Sequence, residues 1–393
     1  MPFSMAIQHS SKGAALEHVN VRMPYATHLR DARNGAARMS RSAASAGERI
    51  QAAALARPCR WPADIRAVIE GETFDPPPFN VVIGPVFPRG EPAGTVVAGG
   101  DVLATWGDGA RADMAFSVAK SYVGLLAAAA LDRGLLSDFA EPVAARIDDP
   151  AFASPRNRTV TWRQLLDQTS EWEGTLFGLP DTVDRDRQLA PTDDPARFDR
   201  ATPLGPPGTY WDYNDIRVNA LCLALTRLYG CPLGEALASF HPAFGAATGF
   251  RWHGYGARST IDLGGRAAEV AVGGGHWGGG VVAGVPHHLA LGGIVLGRGV
   301  LAGQRALSAE ALDVLLTPCP LQPVYGGLWW LNGAQKLFRE APAESVFAMG
   351  IGSTVVWVAP SLGVVAVIRW VEAEGVANVL AAIVSALTGR KEI

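Results

Sequence analysis

Apolar and polar positions follow different periods in different parts of this chain, and those periods predict its elements. Residues 80–106 alternate and carry β-branched side chains, as in Asn80-Val81-Val82-Ile83 and Gly94-Thr95-Val96-Val97-Ala98, with Gly99-Gly100-Asp101 as punctuation. That pattern predicts hairpin strands. Residues 117–133 are rich in Ala and Leu, apolar almost all round, and followed by Gly134. They predict a buried helix with a glycine stop. Helical stretches follow at 160–169 and 215–229, between Pro- and Asp-rich loops, and a glycine cluster opens a further helical segment within 271–300. Strand character returns over 344–371: Ser353–Val358, a turn at Pro360-Ser361-Leu362-Gly363, then Val364–Trp370. A last helix is predicted over 373–388. Strands at both ends with helices between them predict an α+β fold. One antiparallel sheet, drawn from 80–116 and 344–393 and flanked by helices, would carry an inserted, mostly helical region over about 117–300. Residues 1–75 read as an irregular or partly helical lead-in that ends in Pro76-Pro77-Pro78, and 76–393 as the main domain.

Composition narrows the class. The 393 residues are 48% hydrophobic and 18% charged, enough to bury a large core. Net charge is −3 and no basic stripe is interleaved with aromatics, so nucleic acid is not an expected partner. Eleven tryptophans are many, and some are expected to line a pocket. Cys59, Cys222, Cys231 and Cys319 form no Cys-x-x-Cys pair and read as reduced, mostly buried thiols. No secretory signal is evident, although residues 20–60 are rich in Arg, Ala and Ser and poor in acids. The apolar run Tyr122–Leu131 is too short to span a bilayer. The expectation is a cytoplasmic protein without a membrane partner.

Candidate chemistry centres on lysine. Only Lys12, Lys120, Lys336 and Lys391 are present, so 30 of the 34 basic residues are arginine. Arginine keeps its proton in a protein, whereas a buried lysine can lose it and act as a base. Lys120 stands three residues after Ser117 at the head of the apolar helix, which puts both side chains on one face. A serine beside a neutralised lysine is an activated nucleophile. The bland alternative is a helix-starting serine with a snorkelling lysine. A second element, Pro206-Pro207-Gly208-Thr209-Tyr210-Trp211-Asp212-Tyr213-Asn214-Asp215, puts a phenol and polar groups at a helix start. A third, Phe347-Ala348-Met349-Gly350-Ile351-Gly352-Ser353-Thr354, places small residues on a late strand whose backbone N–H could serve an oxyanion.

Taken in this order, the three elements resemble the serine β-lactamase and penicillin-binding-protein superfamily. The nearer likeness is to class C β-lactamase-like esterases and 6-aminohexanoate-dimer hydrolases. It covers roughly residues 80–390 and includes Val160–Ser170, Gly278-Gly279-Gly280-Val281-Val282 and Tyr325-Gly326-Gly327-Leu328-Trp329-Trp330. The resemblance implies a β-lactamase/transpeptidase-like fold and a serine hydrolase that forms an acyl-enzyme. It implies Ser117 as nucleophile, Lys120 as its base, Tyr213 as proton shuttle, and the N–H groups of Ser117 and Ile351 as oxyanion donors. No metal or organic cofactor is implied.

Two departures shape the substrate expectation. The late strand reads Ala348-Met349-Gly350, or Gly350-Ile351-Gly352 in the preferred alignment, where the family carries Lys-Thr-Gly or His-Thr-Gly. No cation is offered to a β-lactam carboxylate, so a small-molecule ester or simple amide is expected. Asp215 replaces the family's Asn, and could pair with Lys120 or with a cationic substrate group. Trp172, His276, Trp277 and Gly350 are further candidates for substrate contact. A true β-lactamase, a D-amino-acid peptidase and a non-catalytic acylated sensor stay open as alternatives. Gly273-Gly274-Gly275-His276-Trp277-Gly278 lacks the later acid of a dinucleotide site and reads as a glycine-rich cleft wall. The chain holds no Gly-x-Ser-x-Gly elbow and no His-Glu-x-x-His. His287 and His288 read as surface or capping residues.

Overall fold

A computed structural model describes residues 36–389 apart from Glu72, Pro76 and 185–202. The first 35 residues of the expected lead-in lie outside the described residues. The helices are α1 (Ala36–Leu55), α2 (Ile65–Glu70), α3 (Val118–Asp132), α4 (Trp162–Leu166), α5 (Asp215–Tyr229), α6 (Leu233–Phe240), α7 (Val285–Leu296), α8 (Ala309–Leu315) and α9 (Ala373–Thr388). The strands that organise the molecule are β1 (Ala93–Ala98), β2 (Asp101–Trp106), β3 (Asp113–Met114), β4 (Arg251–His253), β5 (Gly280–Ala283), β6 (Tyr325–Gly326), β7 (Trp329–Leu331), β8 (Val346–Gly350), β9 (Thr354–Ala359) and β10 (Val364–Arg369).

Seven strands form one antiparallel sheet in the order β6-β7-β8-β9-β10-β1-β2. Both ends of the chain therefore build it, with the helical region inserted between β2 and β6, which is the expected α+β architecture. β9 and β10 are buried along their whole length, which explains their continuous Val-rich runs in place of alternation. Helix α7 lies against β9 and β10, and α1 against α9 and β2. A smaller sheet, β3-β5-β4, joins the start of α3 to the inserted region.

Two expectations shift. Residues 80–92 hold no strand, because Pro85, Pro88 and Pro92 remove donors that a ladder requires. Conversely β6 and β7 extend the sheet on its far edge. Tryptophan mostly fills the core: Trp106, Trp162, Trp172, Trp277, Trp329, Trp357 and Trp370 are fully buried. Cys59, Cys222 and Cys319 are buried free thiols, and Cys231 is partly so. His287 caps α7 by accepting from the Gly284 N–H, but it is buried, as is His288, which pairs with the Tyr122 hydroxyl at 3.0 Å. No helix among the described residues is long and apolar enough to cross a membrane.

Candidate active site

Helix α3 is buried from Val118 to Ala130 and carries Lys120 into the core. Ser117 stands at its N-cap, partly exposed. The preceding residue, Phe116, has φ +47°, a left-handed conformation that non-glycine residues adopt at a cost. Its ring is gripped edge-on by Trp61 at 5.9 Å and Trp370 at 6.4 Å, with Phe74 at 6.3 Å. Packing thus fixes the turn that presents Ser117.

Lys120 Nζ donates to Ser117 Oγ at 2.9 Å and lies 2.5 Å from Oδ1 of Asp215. Lys120 is 1% exposed and Asp215 4%. The expectation that burial strips this ammonium of its charge is corrected here. Burial is the largest influence and acts downward, but Asp215 and then Tyr213 outweigh it and hold the ammonium above its ordinary range. Of the two partners left open for Asp215, the structure supplies Lys120.

Asp215 reaches Lys120 because the start of α5 is tied down. Asn214 caps that helix, accepting from Ile216 and Arg217 N–H at 3.1 and 3.2 Å. Its own N–H donates to Gln168 and its amide to the Asp181 carbonyl. The Asp215 N–H donates to Asp184 Oδ2 at 2.6 Å. Tyr213, one residue before the cap, is stacked on Trp330 at 5.7 Å and held edge-on by Tyr325 at 5.9 Å. Lys120 Nζ lies over the Tyr213 ring, 4.8 Å from the centroid, and burial keeps the Tyr213 proton on above the ordinary tyrosine range, with Lys120 opposing.

The glycine segment before β5 supplies room. A Cβ on Gly274 would stand 2.6 Å from Asp215 Oδ2 and 3.5 Å from Lys120 Nζ; only bare backbone fits against the ion pair. Gly350, at the end of β8, is equally constrained: its Cβ would meet the Ala115 carbonyl oxygen at 2.3 Å and the Ser117 nitrogen at 3.3 Å. The hairpin turn after β8 therefore abuts the turn before α3, and Ile351 sits at its tip, 43% exposed.

The other candidates divide. His276 is buried beside the site, 3.8 Å from Asp215 through Nδ1. Trp172 and Trp277, expected near substrate, lie in the core at 1% and 0% exposure. Their indole N–H groups donate to the carbonyls of Ala151 and Phe79 at 2.8 and 2.9 Å, so they act as structural ties. Asp75 and Asp184 went unpredicted. Together with His276 they form a buried group of oxygen and nitrogen atoms within 4.8 Å of one another. His276 Nε2 is hydrogen-bonded to Asp75 Oδ2, and Asp184 Oδ2 accepts from the Asp215 N–H. Their separation in sequence hid them.

The family profile described as Beta-lactamase matches residues 93–375. No curated protein sequence matches the chain. Among solved structures, a novel penicillin-binding protein homologue from Caulobacter crescentus superposes with TM-score 0.53 at 15% identity, covering 82% of this chain and 96% of that one. A family VIII carboxylesterase gives 0.54 at 15% identity, over 75% and 92% of the two chains. EstCE1, a hydrolase with promiscuous acyltransferase activity, gives 0.54 at 14% identity, over 88% of this chain and all of that one. At these identities the likeness is one of fold.

Proposed function

The chain belongs to the β-lactamase family, and from that membership we propose that it is a serine hydrolase of small carboxylic esters or simple amides. The observation that carries the reading is the buried contact series Ser117 Oγ–Lys120 Nζ–Asp215 Oδ1, at 2.9 and 2.5 Å. Ser117 Oγ attacks the substrate carbonyl carbon. Its proton passes to Nζ as Nζ releases one to Asp215, so the lysine–carboxylate pair acts as the base. The N–H groups of Ser117 and Ile351 receive the oxyanion. Tyr213 gives its proton to the leaving oxygen or nitrogen and is reprotonated through Lys120, which leaves Asp215 ionised again. Water then attacks the ester on Ser117 by the same route. Such groups contribute about 10²–10⁴-fold each and act as a unit.

Substrate preference follows from β8. Ala348, Met349 and Gly350 carry no charge, which leaves a substrate carboxylate without a partner on this strand and favours esters and simple amides over β-lactams. The test is covalent labelling with a fluorophosphonate, followed by turnover of p-nitrophenyl esters, linear amides and a chromogenic cephalosporin. The label should map to Ser117 and vanish in Ser117→Ala. A label on another residue, or full turnover by the alanine variant, would refute the reading. A single acylation without turnover would instead identify a sensor.

A further inference from the structure

Asp75 and His276 lie 201 residues apart in sequence and meet behind Asp215. His276 Nε2 is hydrogen-bonded to Asp75 Oδ2, and Nδ1 lies 3.8 Å from Asp215 Oδ2. Asp75 is 2% exposed, His276 8%. The ring is held between Trp277 at 4.1 Å and Phe74 at 5.0 Å. A neutral imidazole has one N–H and one lone pair. Between two carboxylates, that lone pair would face oxygen lone pairs. A ring with a proton on each nitrogen suits both neighbours. Among the described residues, the charged groups facing it are Asp75, Asp184 from the turn Asp181–Asp184, and Asp215 from α5, with Lys120 of α3 beyond Asp215.

We propose that His276, oriented by Asp75, is a positioning residue for the Lys120–Asp215 base, keeping Asp215 ionised with Oδ1 turned onto Nζ. The inference rests on the serine-hydrolase reading above. Asp215 can accept the proton relayed by Lys120 only while it is a carboxylate. Loss of the imidazole lets that carboxyl take up a proton at higher pH, so the acid limb of acylation moves upward.

The experiment compares His276→Gln with the parent, following acylation by a p-nitrophenyl ester as a function of pH. The expected result is an acid limb displaced upward by roughly one pH unit, with KM little changed. A uniform loss at every pH, with the limb in place, overturns the proposal. If the variant does not fold, the imidazole nitrogen NMR spectrum of the parent decides. Two protonated nitrogens at neutral pH are expected for His276, and one protonated nitrogen overturns the proposal. A parent that is never acylated at Ser117 refutes the hydrolase reading instead, while the spectrum still reports the ring.

Discussion

Replacing Asp215 with Asn preserves the shape of the side chain and removes its charge, leaving the Lys120 ammonium buried without its partner at 2.5 Å. The gross attraction lost is about 6–7 kcal/mol at an effective dielectric constant of ~20. The net cost should be smaller, because the lysine can shed its proton and the amide can still accept a hydrogen bond. Breaking a buried pair costs about 3–5 kcal/mol, and that is the loss expected at neutral pH. The sign of the pH dependence follows from the proton counts. In the parent, Lys120 is held above the ordinary lysine value of 10.5. Its contribution is complete below that value and is lost only as pH rises through the higher, folded one. In Asp215→Asn, burial acts without its main opponent and the folded lysine titrates below the unfolded one. Between those two values the unfolded chain binds more protons, so the stability of the variant rises with pH until about 10.5. The gap between the two proteins should therefore narrow toward alkaline pH. Denaturant unfolding at a series of pH values measures it. A variant as stable as the parent, or a gap independent of pH, would show that Asp215 is not what holds this ammonium.

Further outcomes are expected at the site. Lys120→Arg keeps the charge but not the ability to release it, so ester turnover should fall about 10²–10⁴-fold; near-normal turnover would exclude lysine from the base. Gly350→Ala forces a Cβ to 2.3 Å from the Ala115 carbonyl oxygen. The displaced turn should lower kcat about 10²-fold, and an unchanged kcat would separate the β8 hairpin from the chemistry.

Much of the scaffold was legible because long elements repeat their signal. Helix α3 declares itself by an apolar run, α5 and α9 appear within their expected bounds, and β9 and β10 stand out as buried Val-rich stretches. Strands β6 and β7 hold two and three residues, too few to show a period. Their Tyr325 and Trp330 were visible as a motif, not as a sheet edge. The Ser117–Lys120 contact was readable because three residues on a helix span one turn. The partner of Lys120 was readable only as one of two options for Asp215, since Asp215 arrives from another helix and the cap at Asn214 aims it. Trp172 and Trp277 are buried in the core rather than exposed on a loop. Aromatic residues near a loop or a glycine run suggest a pocket, yet a large ring whose N–H finds a carbonyl is as well suited to a core.

The left-handed backbone at Phe116 ties Ser117 to parts of the chain outside the matched family segment. Two of the rings that brace it, Trp61 and Phe74, and the Asp75 carboxylate behind the base precede residue 93, where that segment begins. A gene fragment trimmed to the recognisable domain would thus encode the serine and the lysine but discard the brace that aims them. The packed unit around Ser117 starts earlier than the matched segment does.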